Sequence, residues 1–340
     1  MRRLLLGAVL LILACEGAAT LPAPSQPTST PIPSIDVSDM MGAFPQTQLL
    51  VMDGDSVKSL ALLNHSTRYT IATSGRVFVA AGNAQVYVAD ETADGTRLRW
   101  IDKAGGGILA TRIEPDRKLV STTTAHGALA VEPTTGRLLA MFADGARRVV
   151  DAFDPYSLLP LGRHMESSCG DRLLTGAGRV VVACFAGTLA MKDGGGDQFV
   201  IDASLGPLVA AAVRGDGTTL VGRKDGTLVQ IRAASREVER IEPFRSAELV
   251  ADGIASIDRD SFAIALSTTD RAVGISELRL GRRYVSFPAK NVPFGGLLAM
   301  DQFAYWADGN SVKHIDLQQG FAETMATLVG SVLPGAVSGY

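Results

Sequence analysis

The sequence predicts an all-β fold, and three observations carry that prediction. Short apolar or alternating runs recur along the chain: Leu49 to Met52, Arg76 to Ala80, Gln85 to Ala89, Leu138 to Phe142, Arg179 to Phe185, Leu228 to Arg232 and Phe262 to Leu266. They are rich in β-branched residues and are separated by Gly, Asp and Asn, the pattern of strands joined by tight turns. No window holds a sustained 3.6-residue apolar period with caps, which leaves little room for helix.

The chain opens with Arg2 and Arg3 followed by the uncharged run Leu4 to Ala14. A bilayer-spanning helix needs about 20 apolar residues, so this run is too short to span and suits the core of a signal peptide over residues 1–14. Residues 15–40 then read as a linker. Pro22, Pro24, Pro27, Pro31 and Pro33 sit among Thr and Ser there, a composition that buries no core and favours extended polyproline II geometry. At about 3.1 Å per residue it would hold a domain several tens of ångströms from its attachment point. O-glycosylation is a second use for such a stretch.

Residues 41–340 carry the repeat. Seven hairpin turns are read at Asp53 to Asp55, Gly82 to Ala84, Ala125 to Gly127, Phe185 to Gly187, Lys224 to Gly226, Thr268 to Asp270 and Ala307 to Gly309. The first apolar residues after them are Val57, Val86, Leu129, Leu189, Leu228, Val273 and Val312. Most intervals are close to the roughly 40 residues of one four-stranded propeller blade. The prediction is therefore a single β-propeller, seven-bladed on this count, with an immunoglobulin-like array as the alternative. Two intervals depart: Val57 to Val86 is 29 and Leu129 to Leu189 is 60. On this reading the first blade is trimmed and the fourth carries an insertion, Asp144 to Asp171. DGDSVK (Asp53 to Lys58) matches DGNSVK (Asp308 to Lys313), which makes the first and last units the same object. Residues Val332 to Tyr340 are then expected to supply an innermost or outermost strand to the first blade and so close the ring.

Composition narrows the partners. The formal net charge is −3, with 20% charged residues and no basic run, so the positive footprint that nucleic acid requires is missing. A monomer is expected. Three cysteines are present; with Cys15 set aside, Cys169 and Cys184 form an even pair that an oxidising exterior would allow to bridge. Counting register across Arg179 to Ala183 places Cys184 opposite a residue near Asp171, so a bridge and two separate thiols both stay open.

Two resemblances follow from these motifs. Ile12-Leu13-Ala14-Cys15 resembles the lipobox of bacterial lipoproteins, with Leu13 where a small residue is commoner. It implies that Cys15 is lipidated, becomes the mature N-terminus and tethers the chain to the extracytoplasmic face of a cell membrane. Glu132-Pro133-Thr134-Thr135-Gly136-Arg137-Leu138-Leu139-Ala140 resembles a turn-and-strand phrase of quinoprotein-like and YncE (YVTN)-type propellers, and Asp102 to Gly105 and Asp316 to Gly320 echo it. The likeness covers residues 45–340 as a blade pattern. Neither Trp100 nor Trp306 precedes Asp, so WD repeats proper are missing, and two tryptophans with no Cys-Cys pair do not fit a quinone cofactor.

Recognisable catalytic patterns are missing as well. The four histidines, His65, His126, His164 and His314, fall at no metal-ligand spacing, and neither a nucleophile elbow nor a phosphate loop is present. The rim of hairpin turns would present Asp53, Asp55, Asn83, His126, Asp225, Asp270, Asp308 and Asn310. Of these, Asp53, Asp225, Asp270 and Asp308 are the candidates for a channel Ca²⁺ of the kind propeller lactonases hold. Asp-Gly pairs also adopt the positive φ of tight hairpins, which accounts for them with no ligand. The segment 144–171 mixes apolar anchors with Arg147, Arg148, Asp151, Asp154, Tyr156, Arg163 and His164, a mixture suited to a peptide, glycan or protein surface and equally to a tolerated loop. The expected function is a non-catalytic, membrane-anchored binding or scaffolding module with no cofactor. The alternatives are a Ca²⁺-dependent propeller hydrolase and an envelope-assembly component similar to BamB-type lipoproteins.

Overall fold

A computed structural model describes residues 48–61, 64–82, 85–120, 127–201, 206–233, 235–241, 248–257, 261–267, 272–277, 282–288, 294–300, 303–308, 310–316, 322–327 and 338–339. Among them every regular element is a strand, and no helix is long and apolar enough to cross a membrane. Cys15 and its linker, Asn83, His126 and Asp270 lie outside the described residues, as does the side chain of Asp308.

The strands form seven four-stranded antiparallel sheets. The first holds β1 (Gln48–Asp53), β2 (Ser56–Ala61) and β3 (Thr67–Ala72). The second holds β4 (Val77–Ala81), β5 (Val86–Thr92), β6 (Gly95–Ile101) and β7 (Ile108–Pro115). The third holds β8 (Leu129–Val131), β9 (Leu138–Asp144), β10 (Arg147–Phe153) and β11 (Pro160–Ser167). The fourth holds β12 (Arg172–Gly176), β13 (Arg179–Cys184), β14 (Thr188–Asp193) and β15 (Gln198–Ile201). The fifth holds β16 (Leu208–Val213), β17 (Thr219–Arg223), β18 (Leu228–Ile231) and β19 (Val238–Ile241). The sixth holds β20 (Glu248–Ser256), β21 (Phe262–Ser267), β22 (Ala272–Glu277) and β23 (Arg282–Pro288). The seventh holds β24 (Phe294–Met300), β25 (Phe303–Asp308), β26 (Ser311–Asp316) and β27 (Ala322–Thr327).

The last strand, β28 (Ser338–Gly339), pairs antiparallel with β1 through Leu49↔Gly339 and Leu50↔Ser338. The chain's end thus supplies the innermost strand of the first sheet. The inner strands β4, β8, β12, β16, β20, β24 and β28 touch one another in a closed circle.

Burial explains why the middle strands read as continuous apolar runs. In β13, Val180 and Val182 pack toward the third sheet, while Val181 and Ala183 pack toward the fifth. With both faces covered, the period-2 alternation still assigns neighbours, but polar residues have no face to occupy. Six buried clusters fill the seven seams, because one cluster runs without a break from Tyr305, Val312 and Met325 of the seventh sheet through Leu49 to Met52 to Val86, Val88 and Ile101 of the second. The outermost strands are wetter; in β7 most residues are exposed or half-buried.

Each sheet folds in the same order, which fixes two rims. On one, here the upper rim, second strands turn into third strands; on the other, the lower rim, third strands turn into fourth. Asp53↔Ser56 and Asp308↔Ser311 close identical upper hairpins, so the DGDSVK and DGNSVK repeats occupy equivalent places. Two of the seven predicted turns are out of phase. Residues 82–85 join β4 to β5, and Gly127 precedes the inner strand β8, so neither belongs to the upper series. The upper turns of those sheets are Ala93-Asp94 and Gly145-Ala146, closed by Thr92↔Gly95 and Asp144↔Arg147. This shift of phase produced the short and long intervals. Segment 144–171 is accordingly no inserted loop: it is the β10–β11 pair of a regular sheet, with a turn at each end.

Candidate functional site

The upper rim is built from tight turns, and two of its candidate carboxylates are engaged locally. Asp53 is buried and ion-paired to Lys58. Asp225 accepts the Thr227 N–H at 3.0 Å and sits 3.4 Å from Arg223, and that N–H is the main cause holding its carboxyl below the usual range. Gly54 and Gly226 take φ of +58° and +82°, the left-handed conformation these turns require. Among the described residues no three His, Cys, Asp or Glu converge as metal ligands. Turn chemistry therefore accounts for Asp53 and Asp225, and the structure brings neither of them into a cation cradle.

Inside that rim lies a group that sequence spacing did not suggest. Arg172, the first residue of β12, reaches past β16 to Asp252 on β20, with Nη1 to Oδ1 at 3.0 Å and both residues buried. The pair links the fourth sheet to the sixth across the fifth. The register of β20 jumps between Leu249 and Ile254, and Asp252 stands in that bulge with φ +54°. The bulge aims its carboxylate inward. The Arg172 Nε is buried with no hydrogen-bond partner.

The approach to Arg172 is braced. Cys169 and Cys184 are joined by a disulfide, with Cα atoms 5.7 Å apart. Strand register alone would set Cys184 beside Asp171, whose N–H donates to Ala183 O at 2.8 Å. Gly170 lets the chain draw in so that Cys169 reaches the sulfur, since a Cβ there would stand 2.7 Å from Val182 Cγ1 and 2.9 Å from Met141 Sδ. Asp171 Oδ2 accepts the Phe185 N–H at 2.7 Å, and Leu173 N–H donates to Gly127 O at 2.7 Å. Arg172 is thus held from both sides of its own backbone.

The candidate residues of 144–171 separate into three places. Arg147 and Arg148 follow the upper turn; Arg147 lies 3.4 Å from Glu166, and Arg148 Nη1 donates to Arg147 O at 3.1 Å. Arg163 pairs with Glu166 on exposed β11, and Asp151 bonds Arg117, in the connection that follows β7, at 2.7 Å. His164 is half-buried with Nε2 unpartnered; burial, then the nearby Lys192 charge, holds its pKa below the ordinary value. Asp154 and Tyr156 lie on the lower rim. Asp154 accepts the Ser157 N–H at 2.8 Å and the Tyr156 N–H at 3.1 Å, which lowers its carboxyl pKa. Tyr156 meets Trp100 edge-on at 5.3 Å, and the Tyr87 hydroxyl donates to Pro155 O at 2.7 Å.

No family model matches the sequence, and no curated protein matches it. Solved structures do. Apo AztD from Citrobacter koseri aligns over 87% of this chain and 99% of its own, at a TM-score of 0.57 and 11% identity. U3-55K aligns over 77% of this chain and 85% of its own, at a TM-score of 0.57 and 12% identity. The domain is a β-propeller. BamB from Moraxella catarrhalis also aligns, over 78% and 79% of the two chains at 15% identity, with a TM-score of 0.48. At these identities the likeness is one of fold, and fold alone assigns no chemistry.

Proposed function

We propose that this chain is an exported lipoprotein whose propeller is a non-catalytic binding or scaffolding module on the extracytoplasmic face of a membrane. Arg2-Arg3, the short apolar run Leu4 to Ala14 and Cys15 in its lipobox-like setting support the anchor. The proline-rich linker supports a folded domain joined to its anchor by an extended tether. The upper rim is the recognition face, and its partner is a protein, peptide or glycan.

One observation carries that choice of face: the buried Arg172–Asp252 pair at 3.0 Å. Desolvating two charges makes such a pair a poor stabiliser compared with apolar residues of the same volume. Its position, braced by a disulfide at the head of an inner strand, suits recognition of polar groups by a preorganised surface. No cofactor is invoked, and Ca²⁺ is left out because Asp53 and Asp225 already serve their own turns.

A photo-crosslinking amino acid placed at Ala186, exposed on the upper rim, and in parallel at Gly195, exposed on the lower rim, tests the face in intact cells. Adducts dependent on Ala186 support the reading, whereas adducts from Gly195 alone or from neither overturn it. The mass of the Cys15 peptide checks the anchor separately: an acyl-bearing N-terminal cysteine is expected, and a free thiol within an unprocessed chain refutes it.

A further inference from the structure

The lower rim carries an exposed apolar strip that is densest in one sector. Ile108 and Leu109, at the head of β7, are 55% and 53% exposed, and Tyr156, Leu159 and Leu161 are 58%, 59% and 52% exposed. Strand pairing and one ring contact connect the two groups, by way of Ile101, which is itself buried. Ile108 pairs with Ile101, Ile101 follows Trp100, and Trp100 meets Tyr156 at 5.3 Å on the turn that leads to Leu159 and Leu161. Other described turns of the same rim are polar: Asn64-His65-Ser66, Asp193 to Asp197 and Ser235-Arg236-Glu237. Elsewhere near this rim Val200 and Val238, at 63% and 49% exposure, stand singly, so the apolar surface is densest on the second and third sheets.

The chain joins the propeller at the same place. β1 begins on the lower rim at Gln48, whose Nε2 donates to Lys103 O at 2.8 Å. Lys103 lies in the turn that runs from Ile101 to Ile108, so the first described strand begins beside the apolar strip. Arg137, exposed in the turn between β8 and β9, adds a positive charge to this rim, beside the Asp102 and Asp154 carboxylates, each held by the N–H groups of its own turn.

We propose that this strip is a membrane-facing surface that seats the lower rim on a phospholipid bilayer and turns the upper rim outward. Aromatic and aliphatic side chains of this kind, with a cation nearby, partition to the headgroup–acyl boundary. The inference deepens the anchoring reading, and its test is chosen so that the two fail separately. Its occupant is the bilayer that the chain's attachment point faces, not a second copy or another protein.

The chain has two tryptophans, Trp100 beside Tyr156 and Trp306 at 1% exposure, so intrinsic fluorescence reports the contact with Trp306 as an internal baseline. The full-length processed protein is reconstituted into phosphatidylcholine/phosphatidylglycerol vesicles with and without brominated acyl chains. Trp100 emission should fall in the brominated vesicles, and Tyr156→Ser/Leu159→Ser/Leu161→Ser should abolish that fall while the protein still floats with the vesicles. Leu161→Ser alone, which removes one exposed side chain, should reduce it, and unchanged melting curves confirm folding. Flotation with no bromine-dependent quenching overturns the proposal, as does a dimer in vesicle-free detergent that the triple substitution dissolves. Should Cys15 carry no lipid, the anchoring reading fails by itself; the same protein is then added to preformed vesicles, where quenching sustains the surface and its absence overturns it.

Discussion

Replacing Asp252 by asparagine would leave the Arg172 guanidinium charged, buried and short of its counter-charge. Asparagine tolerates the φ of +54° at this position, so the substitution removes charge with little backbone strain added. At the observed 3.0 Å, the attraction is about 5 kcal/mol at an effective dielectric of about 20, and the desolvation of the two ions offsets most of it. Removing one partner forfeits the attraction and keeps the arginine's desolvation, a loss of roughly 3 kcal/mol. In a domain of roughly 300 residues that is a fall in Tm of about 5 °C. Arg172→Met in the Asp252→Asn background removes the stranded charge as well and should recover at least half of the loss. The assay is a double-mutant cycle followed by thermal melting and urea titration. If Asp252→Asn melts within a degree of the wild type, or if the two losses simply add, the pair does not couple the fourth sheet to the sixth and the reasoning fails.

Two further outcomes follow from the geometry. Deleting residues 331–340 removes β28, exposes the inner edge of β1 beside the buried Leu49 and Leu50, and should destabilise the whole domain in a single transition; an unchanged urea midpoint would refute closure by this strand. His164, with a folded pKa held below its ordinary value by burial, binds fewer protons folded than unfolded as the pH falls. Its contribution to stability is therefore complete above about pH 6.5 and is lost on acidification below it. Tm should drop more steeply for the wild type than for His164→Gln between pH 7 and 5, and parallel curves would exclude the histidine.

How much of this was legible in the sequence depends on how local the signal is. The β-class, the turn chemistry and the equivalence of Asp53 and Asp308 are short-range features, and they read correctly because alternation and Asp-Gly turns act over a few residues. Phase along the repeat was harder. Ala-Asp-Gly occurs at 93–95, 143–145, 251–253 and 307–309; three of these are upper turns, including those of the second and third sheets, but the one at 251–253 is the bulge of β20, so the tripeptide alone does not fix the phase. The three-residue strand β8 carries too little pattern to mark a blade boundary, so the regular β10–β11 pair read as an insertion. Long-range pairings had no signal of either kind. Arg172 and Asp252 lie 80 residues apart, and only ring geometry and a bulge bring them together. Trp100 and Tyr156 meet for a similar reason, through the packing of one blade's lower turn against the next.

The pairing of Ser338 and Gly339 with β1 also bears on how the molecule comes into being. A chain synthesised from its N-terminus makes the second, third and fourth strands of its first sheet early, yet the residues that complete that sheet emerge last. Until then β1 presents an open edge, and the loop to be closed spans nearly the whole domain, among the slowest kinds of contact for a folding chain. The interval between synthesis of Gln48 and of Gly339 is thus one of exposure to mispairing with other chains. Synthesis rate and holdase capacity, rather than final stability, would then set how much protein matures, and a bulky fusion placed directly after Tyr340 would burden that last step more than one placed ahead of residue 41.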